Sequence, residues 1–229
     1  MNEDAKENSM FTESRTRAIE TAQTKGLAPL GLFTNHDWSD DPKHLVFTFS
    51  RYKFVSKMLR GKKNVLEIGC GDGFATRIVR QEVAKLTAID CDSVLIDDCI
   101  QRSNDDWKVD FKVHDILDGP LDQTFDAAYL IDVIEHIDKR HEELLMYNVA
   151  NSLVKDGELI IGTPSIFSQK YACPLSKAGH VNCMDDEQLR ELMKKYFHHV
   201  FIFSMNDEVV HTGFYKMAHY YFALCCSKR

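Results

Sequence analysis

The chain has 229 residues, 44% hydrophobic and 28% charged, the balance of an ordinary globular protein, which excludes a collagen-like rod, a disordered polymer and a long coiled coil. Its length suits one α/β core with appendages. Lys+Arg 28 against Asp+Glu 35 leaves a formal net charge of −7, and no basic cluster is larger than Arg60-Gly-Lys-Lys63, so nucleic acid is disfavoured as a partner.

In chain order, Met1 to Asn8 is polar and acidic with no apolar run, which reads as the absence of a secretory signal. No apolar stretch approaches the roughly 20 residues of a membrane span, so no membrane partner is expected. The cysteines, seven in all, form no Cys-x-x-Cys pair and read as reduced thiols in a cytoplasmic protein. Residues to about 25 are expected to be frayed or loosely helical. Gly26 to Pro42 has a loop composition studded with Leu32, Phe33 and Trp38. Pro42 then opens a helix whose apolar residues, Leu45 to Leu59, recur at three- and four-residue steps until Gly61 ends it. Residues 1–60 are thus expected to form a helical extension or lid, with Phe33, Trp38, His44, Phe49, Arg51 and Tyr52 facing the site, and 61–229 the main domain.

From Val65 short apolar runs alternate with helices. The runs are 65–68, 86–89, 111–113, 125–131 and 158–161; the helices lie near 74–83, 93–103, 137–154 and 185–196. This alternation specifies a parallel sheet with helices on both faces. Val200–Phe203 and Tyr220–Cys225 have no room for a long helix between them and should pair antiparallel on the sheet edge.

The segment Val65-Leu-Glu-Ile-Gly-Cys-Gly-Asp-Gly-Phe74 carries most of the chemistry. A strand runs into glycines at 69, 71 and 73 and a helix follows, so ligand can lie on bare backbone at a helix start. Glu67, inside the apolar strand, would be costly to bury without a partner. Asp90 follows Gly69 by 21 residues, near the offset at which an acid meets ribose hydroxyls, and Asp115 ends the third run in the same way. The Gly-x-Gly-x-x-Gly spacing of dinucleotide sites is absent, which weakens a nicotinamide oxidoreductase reading. Acids at the loop suit a cationic ligand without phosphate, such as S-adenosylmethionine.

On these residues the chain resembles the class I S-adenosylmethionine-dependent methyltransferases, strongly over Asn64 to Thr163. The resemblance implies a Rossmann-like, seven-stranded, mostly parallel sheet with an antiparallel C-terminal strand pair. It implies that the backbone at Gly69, Cys70 and Gly71 lies along the methionine part of the cofactor, within a loop that Glu67 and Gly73 complete. Asp90 would hold the ribose hydroxyls, with Cys91 beside the adenine. Asp115 would accept from the adenine amino group, with Ile116 near the ring, and Ile131 would offer backbone contacts to the amino-acid portion.

Val133-Ile-Glu-His136 resembles the Glu-His step after the fourth strand of small-molecule O-methyltransferases of the quinone-biosynthesis type. It makes His136 a candidate base or acceptor-orienting group, with Glu135 its neighbour; both residues would equally suit a helix N-terminal turn. Beyond Gly162-Thr-Pro-Ser165, the resemblance implies that a long loop to Met184 walls the acceptor pocket, with His180, a third catalytic candidate, and Asn182 as polar groups; Asp185 is expected to cap the next helix. His211 and His219 are further polar groups between the last two strands. Adjacent His198-His199 diverge, and neither His-x-x-x-His on a helix nor Cys-x-x-Cys occurs, so no metal is assigned.

The expected function is in-line methyl transfer to O, N or C of a small-molecule acceptor, such as a sugar, a quinone-like ring or another metabolite. A protein or nucleic-acid methyltransferase and a non-catalytic cofactor-binding protein are the alternatives. Asn/Asp-Pro-Pro-Tyr and Pro-Cys segments are absent, which counts against methylation of bases. Composition says nothing of oligomeric state.

Overall fold

In a computed structural model of the chain, the backbone is described over residues 3–229 and the side chains from Thr12 onward; the side chains of Met1 to Asn8 lie outside the described residues. Two compact units divide it, one ending at Leu30 and one running from Gly31 to Arg229. The first holds α1 (Glu3–Lys25), one continuous helix where frayed or loosely helical chain was expected. Thr16 and Thr21 hydroxyls donate to the carbonyls of Thr12 and Arg17 one turn back, spending polar groups within the helix.

The second unit opens with α2 (Leu32–Asp40), a helix within the loop expected over 26–42, of which 26–31 is irregular. Helix α3 (Pro42–Met58) follows after one residue, with Pro42 in its first turn and the Asp41 carboxylate accepting from the Lys43 N–H. Then come β1 (Asn64–Ile68), α4 (Thr76–Arg80), β2 (Lys85–Asp90), α5 (Ser93–Arg102), β3 (Asp110–Val113) and β4 (Phe125–Ile131). They are followed by α6 (Glu142–Asn151), β5 (Leu153–Pro164), α7 (Pro174–Gly179), α8 (Asp186–Lys194), β6 (Phe197–Asn206), β7 (Val209–His211) and β8 (Tyr220–Lys228). Two expected helices are shorter: α4 loses its first turn to the glycine loop, and two 3-10 turns occupy 134–141 ahead of α6.

The sheet order is β3-β2-β1-β4-β5-β8-β6-β7. The first five strands are parallel; β8 inserts between β5 and β6 and runs antiparallel to both. The fold class stands, but the count is eight strands rather than seven. The added strand arises because Asp207 takes a left-handed φ of 51° and folds the chain back, pairing Val209–His211 with Ser204–Asn206. A polar Asn-Asp-Glu sequence hides it.

Alternation along β1 divides the core. Leu66 and Ile68 face a layer with Leu145, Val149, Leu189 and Met193 of α6 and α8. Val65 faces the other side, with Tyr52 and Val55 of α3, Val79 of α4 and Phe222. Helix α3 therefore belongs to the body of the sheet, and its edge reaches the carboxyl ends of β1 and β4, where ligands enter open α/β sheets.

Candidate active site

The glycine loop leaves β1 with left-handed φ at Gly69 (70°), Gly71 (55°) and Gly73 (63°). Close approach reinforces the need for glycine: a Cβ on Gly69 would lie 2.4 Å from Val133 Cγ2, and one on Gly73 2.7 Å from the Phe111 ring. The loop is pinned at both ends. Gly69 and Cys70 N–H groups donate to the Ile89 carbonyl, and the Gly71 N–H donates to Asp90 Oδ2 at 2.9 Å. Asp90 thus faces the loop, while its Oδ1 accepts from the Asp92 N–H. Buried Asp72 accepts from the Phe74 N–H and, across the cleft, from the Thr34 N–H of α2 at 2.7 Å, which seats α2 on the loop with Phe33 beside Gly71.

Beneath the loop, Glu67 is 1% exposed. Tyr129 pairs with it in register on β4, and the Tyr52 and Thr76 hydroxyls also face its carboxyl. Neither Glu67 oxygen has a partner of normal hydrogen-bond geometry. Burial pushes its pKa up to about 7, against the opposing pull of the three hydroxyls. The buried carboxylate expected to have a partner is surrounded by hydroxyls without being neutralised by a cation.

The other expected cofactor residues lie along the same sheet edge. Asp115 accepts from the Leu117 N–H, shaping the turn after β3, and Ile116 is held in the core with its carbonyl accepting from Asn148. Cys91 is exposed just past Asp90. Ile131, 5% exposed, ends β4. The Cys70 thiol turns inward, toward the Gly71 carbonyl that Cys99 also approaches, so its backbone alone is left to the cleft.

Past β4 the fold assembles a second polar group that the sequence spacing does not show. Asp132 adopts a left-handed φ of 59° and pairs with Arg51 of α3 at 2.5 Å. The Arg51 guanidinium lies 4.2 Å over the Tyr220 ring. Arg51 Nε, Asp132 Oδ1, Tyr220 Oη and Glu135 Oε1 are buried with no hydrogen-bond partner. Burial and nearby Asp132 hold the Glu135 carboxyl well above its ordinary pKa. Asp132 follows an apolar strand as Asp90 does, which is the signal that could have found it; Tyr220 and Thr163 offered none.

Glu135, His136 and His180, the expected catalytic residues, come together. The Glu135 carbonyl accepts from both the Val181 and Asn182 N–H groups, which docks the 165–184 loop on the β4 turn. Thr163 donates to Glu135 Oε2 at 3.2 Å. The two imidazole centroids are 5.1 Å apart, edge to face. One ligand atom from each of the three residues lies within 4.8 Å of the others, a cluster able to hold a metal where the sequence assigned none. Burial and nearby His136 depress the His180 pKa. His211 instead bonds Asn206 across the β6–β7 hairpin at 2.9 Å. Asp185 caps α8 as expected, in a reciprocal box with Gln188.

A family model described as a methyltransferase domain matches residues 43–196. Among curated proteins, the ubiquinone biosynthesis O-methyltransferase of Schizosaccharomyces pombe is 23% identical over 139 residues, 56% of this chain and 50% of that protein. An uncharacterized methyltransferase of Staphylococcus carnosus is 29% identical over 113 residues, 49% of this chain and 53% of its own length. The chain therefore spans about half the length of the curated relatives it matches. Among solved structures, the N-methyltransferase NodS of Bradyrhizobium japonicum with S-adenosyl-L-homocysteine superimposes with a TM-score of 0.62 at 19% identity, over 82% of this chain and 89% of that one.

Proposed function

We propose, for a chain that belongs to the class I S-adenosylmethionine-dependent methyltransferases, that it methylates O, N or C of a small-molecule acceptor such as a sugar, a quinone-like ring or another metabolite. The observation that carries the reading is the glycine loop, with three left-handed glycines, Asp90 turned to it and Glu67 beneath it. Its residues fit the cofactor: bare backbone at Gly69, Cys70 and Gly71 for the methionine part, Asp90 for the ribose hydroxyls, Asp115, Ile116 and Cys91 around the adenine, and Ile131 for the amino-acid end. S-adenosylmethionine, when bound, supplies an electrophilic methyl group on a sulfonium.

The protein's part is positioning and exclusion of water, since in-line displacement needs the acceptor atom about 3–3.5 Å from the methyl carbon. Val133 lies against Gly69, so the Glu135–His136 turn stands beside the cofactor loop. His136, Glu135 and His180 would orient the acceptor and ease the loss of its proton. Helix α2 on one side and the 165–184 loop on the other would close over it. A small acceptor is supported by the net charge of −7 and by the names of the O- and N-methyltransferases above. Among the described residues no helix is long and apolar enough to cross a membrane. The free cysteines, with none paired, support a reducing, cytoplasmic setting.

Calorimetric titration with S-adenosylhomocysteine, followed by transfer of labelled methyl from S-adenosylmethionine into a fractionated metabolite extract, tests the reading. Saturable binding and a labelled small product are expected. Absence of binding overturns the cofactor site, and label found only in protein or nucleic acid overturns the acceptor class.

A further inference from the structure

Two imidazoles and a buried carboxylate meet at the mouth of the cleft, at the end of the sheet where the acceptor is placed above. Each offers one ligand atom, and those atoms lie within 4.8 Å of one another. On each side chain one polar atom is hydrogen-bonded to the surrounding loop or strand. His136 Nδ1 is 3.0 Å from the Gly179 carbonyl, and since that oxygen only accepts, the ring proton sits on Nδ1 and the lone pair on Nε2. His180 Nδ1 is 2.9 Å from Gln169 Oε1, which likewise leaves Nε2 with the lone pair. Glu135 Oε2 accepts from Thr163, while Oε1 is buried with no partner. Outer partners that fix the tautomer of each histidine and orient the carboxylate are what a metal site requires of its surroundings. A buried carboxylate oxygen with no donor is, independently, an atom whose cost a cation would remove.

We propose that Glu135, His136 and His180 form a divalent-cation site, taking a transition ion such as Mn2+, Co2+ or Zn2+, and that the acceptor is a hydroxyl compound bound through its oxygen to that ion. Two nitrogens and one oxygen favour such an ion over Mg2+, which prefers oxygen alone. Three protein ligands leave open positions for substrate, and a bound hydroxyl ionises more readily than a free one. The acceptor O–H proton goes to solvent, an oxygen lone pair forms the O–CH3 bond, and the breaking C–S bond leaves its pair on sulfur. The product is a methyl ether, with S-adenosylhomocysteine and one proton. The inference rests on the methyl-transfer reading for its acceptor, but the site itself does not.

Equilibrium dialysis of the full chain against Co2+, with visible absorption of the bound ion, tests the site, and S-adenosylhomocysteine titration of the same samples reports the cofactor loop. One Co2+ per chain is expected. Glu135→Gln, His136→Ala and His180→Ala should each weaken it at least tenfold with S-adenosylhomocysteine binding retained, and Gln169→Leu, which removes only an outer partner, should weaken it less. Should Co2+ fail to bind while S-adenosylhomocysteine does, or bind equally well to all three ligand variants, the cation site is overturned and the methyltransferase reading is untouched. Should Co2+ bind at these residues while S-adenosylhomocysteine does not, the site stands and the cofactor reading falls. Any variant that loses both ligands is judged by its thermal unfolding, and the isosteric Glu135→Gln, which keeps the shape of the turn, then decides: unchanged Co2+ affinity in it overturns the proposal.

Discussion

Gly31 has room for a hydrogen and little else: a Cβ built there would lie 2.3 Å from Asp72 Oδ2, although its φ of −73° would suit any residue. Gly31→Ala is therefore a steric test without backbone strain. It should push Asp72 off the Thr34 N–H, cost about 1–3 kcal/mol by overpacking, and weaken S-adenosylhomocysteine several-fold, read by urea unfolding and calorimetry. Glu67 makes a prediction in pH. Its pKa rises from 4.5 unfolded to about 7 folded, so between those values the native state holds more protons than the unfolded one. The contribution of this group to stability should then be greatest below about pH 4.5 and fall as pH rises to about 7, with no further change above it. Glu67→Gln removes the charge, so relative to wild type it should gain up to roughly 3 kcal/mol at pH 8 and nothing near pH 4. Urea denaturation of both proteins across that range decides it; parallel curves would mean that the carboxyl is not held as described.

Helix α3 is fastened to the sheet by apolar packing and by one ion pair. Tyr52 and Val55 enter the core against Val65 and Tyr129, while Arg51 reaches Asp132 at the end of β4. Removing the cation alone should be worse than removing both charges. Arg51→Met is expected to cost about 2–3 kcal/mol, below the about 3–5 kcal/mol of a fully buried pair because 30% of the Asp132 side chain still meets solvent. The double variant Arg51→Met with Asp132→Asn should recover much of the loss. A double-mutant cycle by chemical denaturation measures the coupling, and strict additivity would show that the pair does not hold the helix. At this scale legibility varied with local signal. Helix α8 announced its start through Asp185, whereas α2 was concealed: its residues bury only Thr34, and a helix with so little core face has no apolar period to read.

The compact unit beginning at Gly31 predicts where the chain tolerates truncation. A fragment 31–229 should unfold cooperatively and keep S-adenosylhomocysteine binding, whereas 56–229, stripped of α2 and most of α3, should lose both, by circular dichroism and calorimetry. The alternation of apolar runs and helices was enough to specify the parallel sheet, the glycine loop and the acids at the ends of β1, β2 and β3, because each is written within about ten consecutive residues. The eighth strand and the Arg51–Asp132 pair were not, and the meeting of His180 with Glu135 and His136 was expected through the family resemblance alone. Arg51 and Asp132 stand 81 residues apart, and 43 residues separate His136 from Gly179, whose carbonyl its ring meets just ahead of His180. Local sequence sets the periods and turns that make each element, since those depend on neighbours along the chain; which side chains share a site depends on how the elements pack, and that was decided only by the burial of α3 on β1 and of the 165–184 loop on the end of β4.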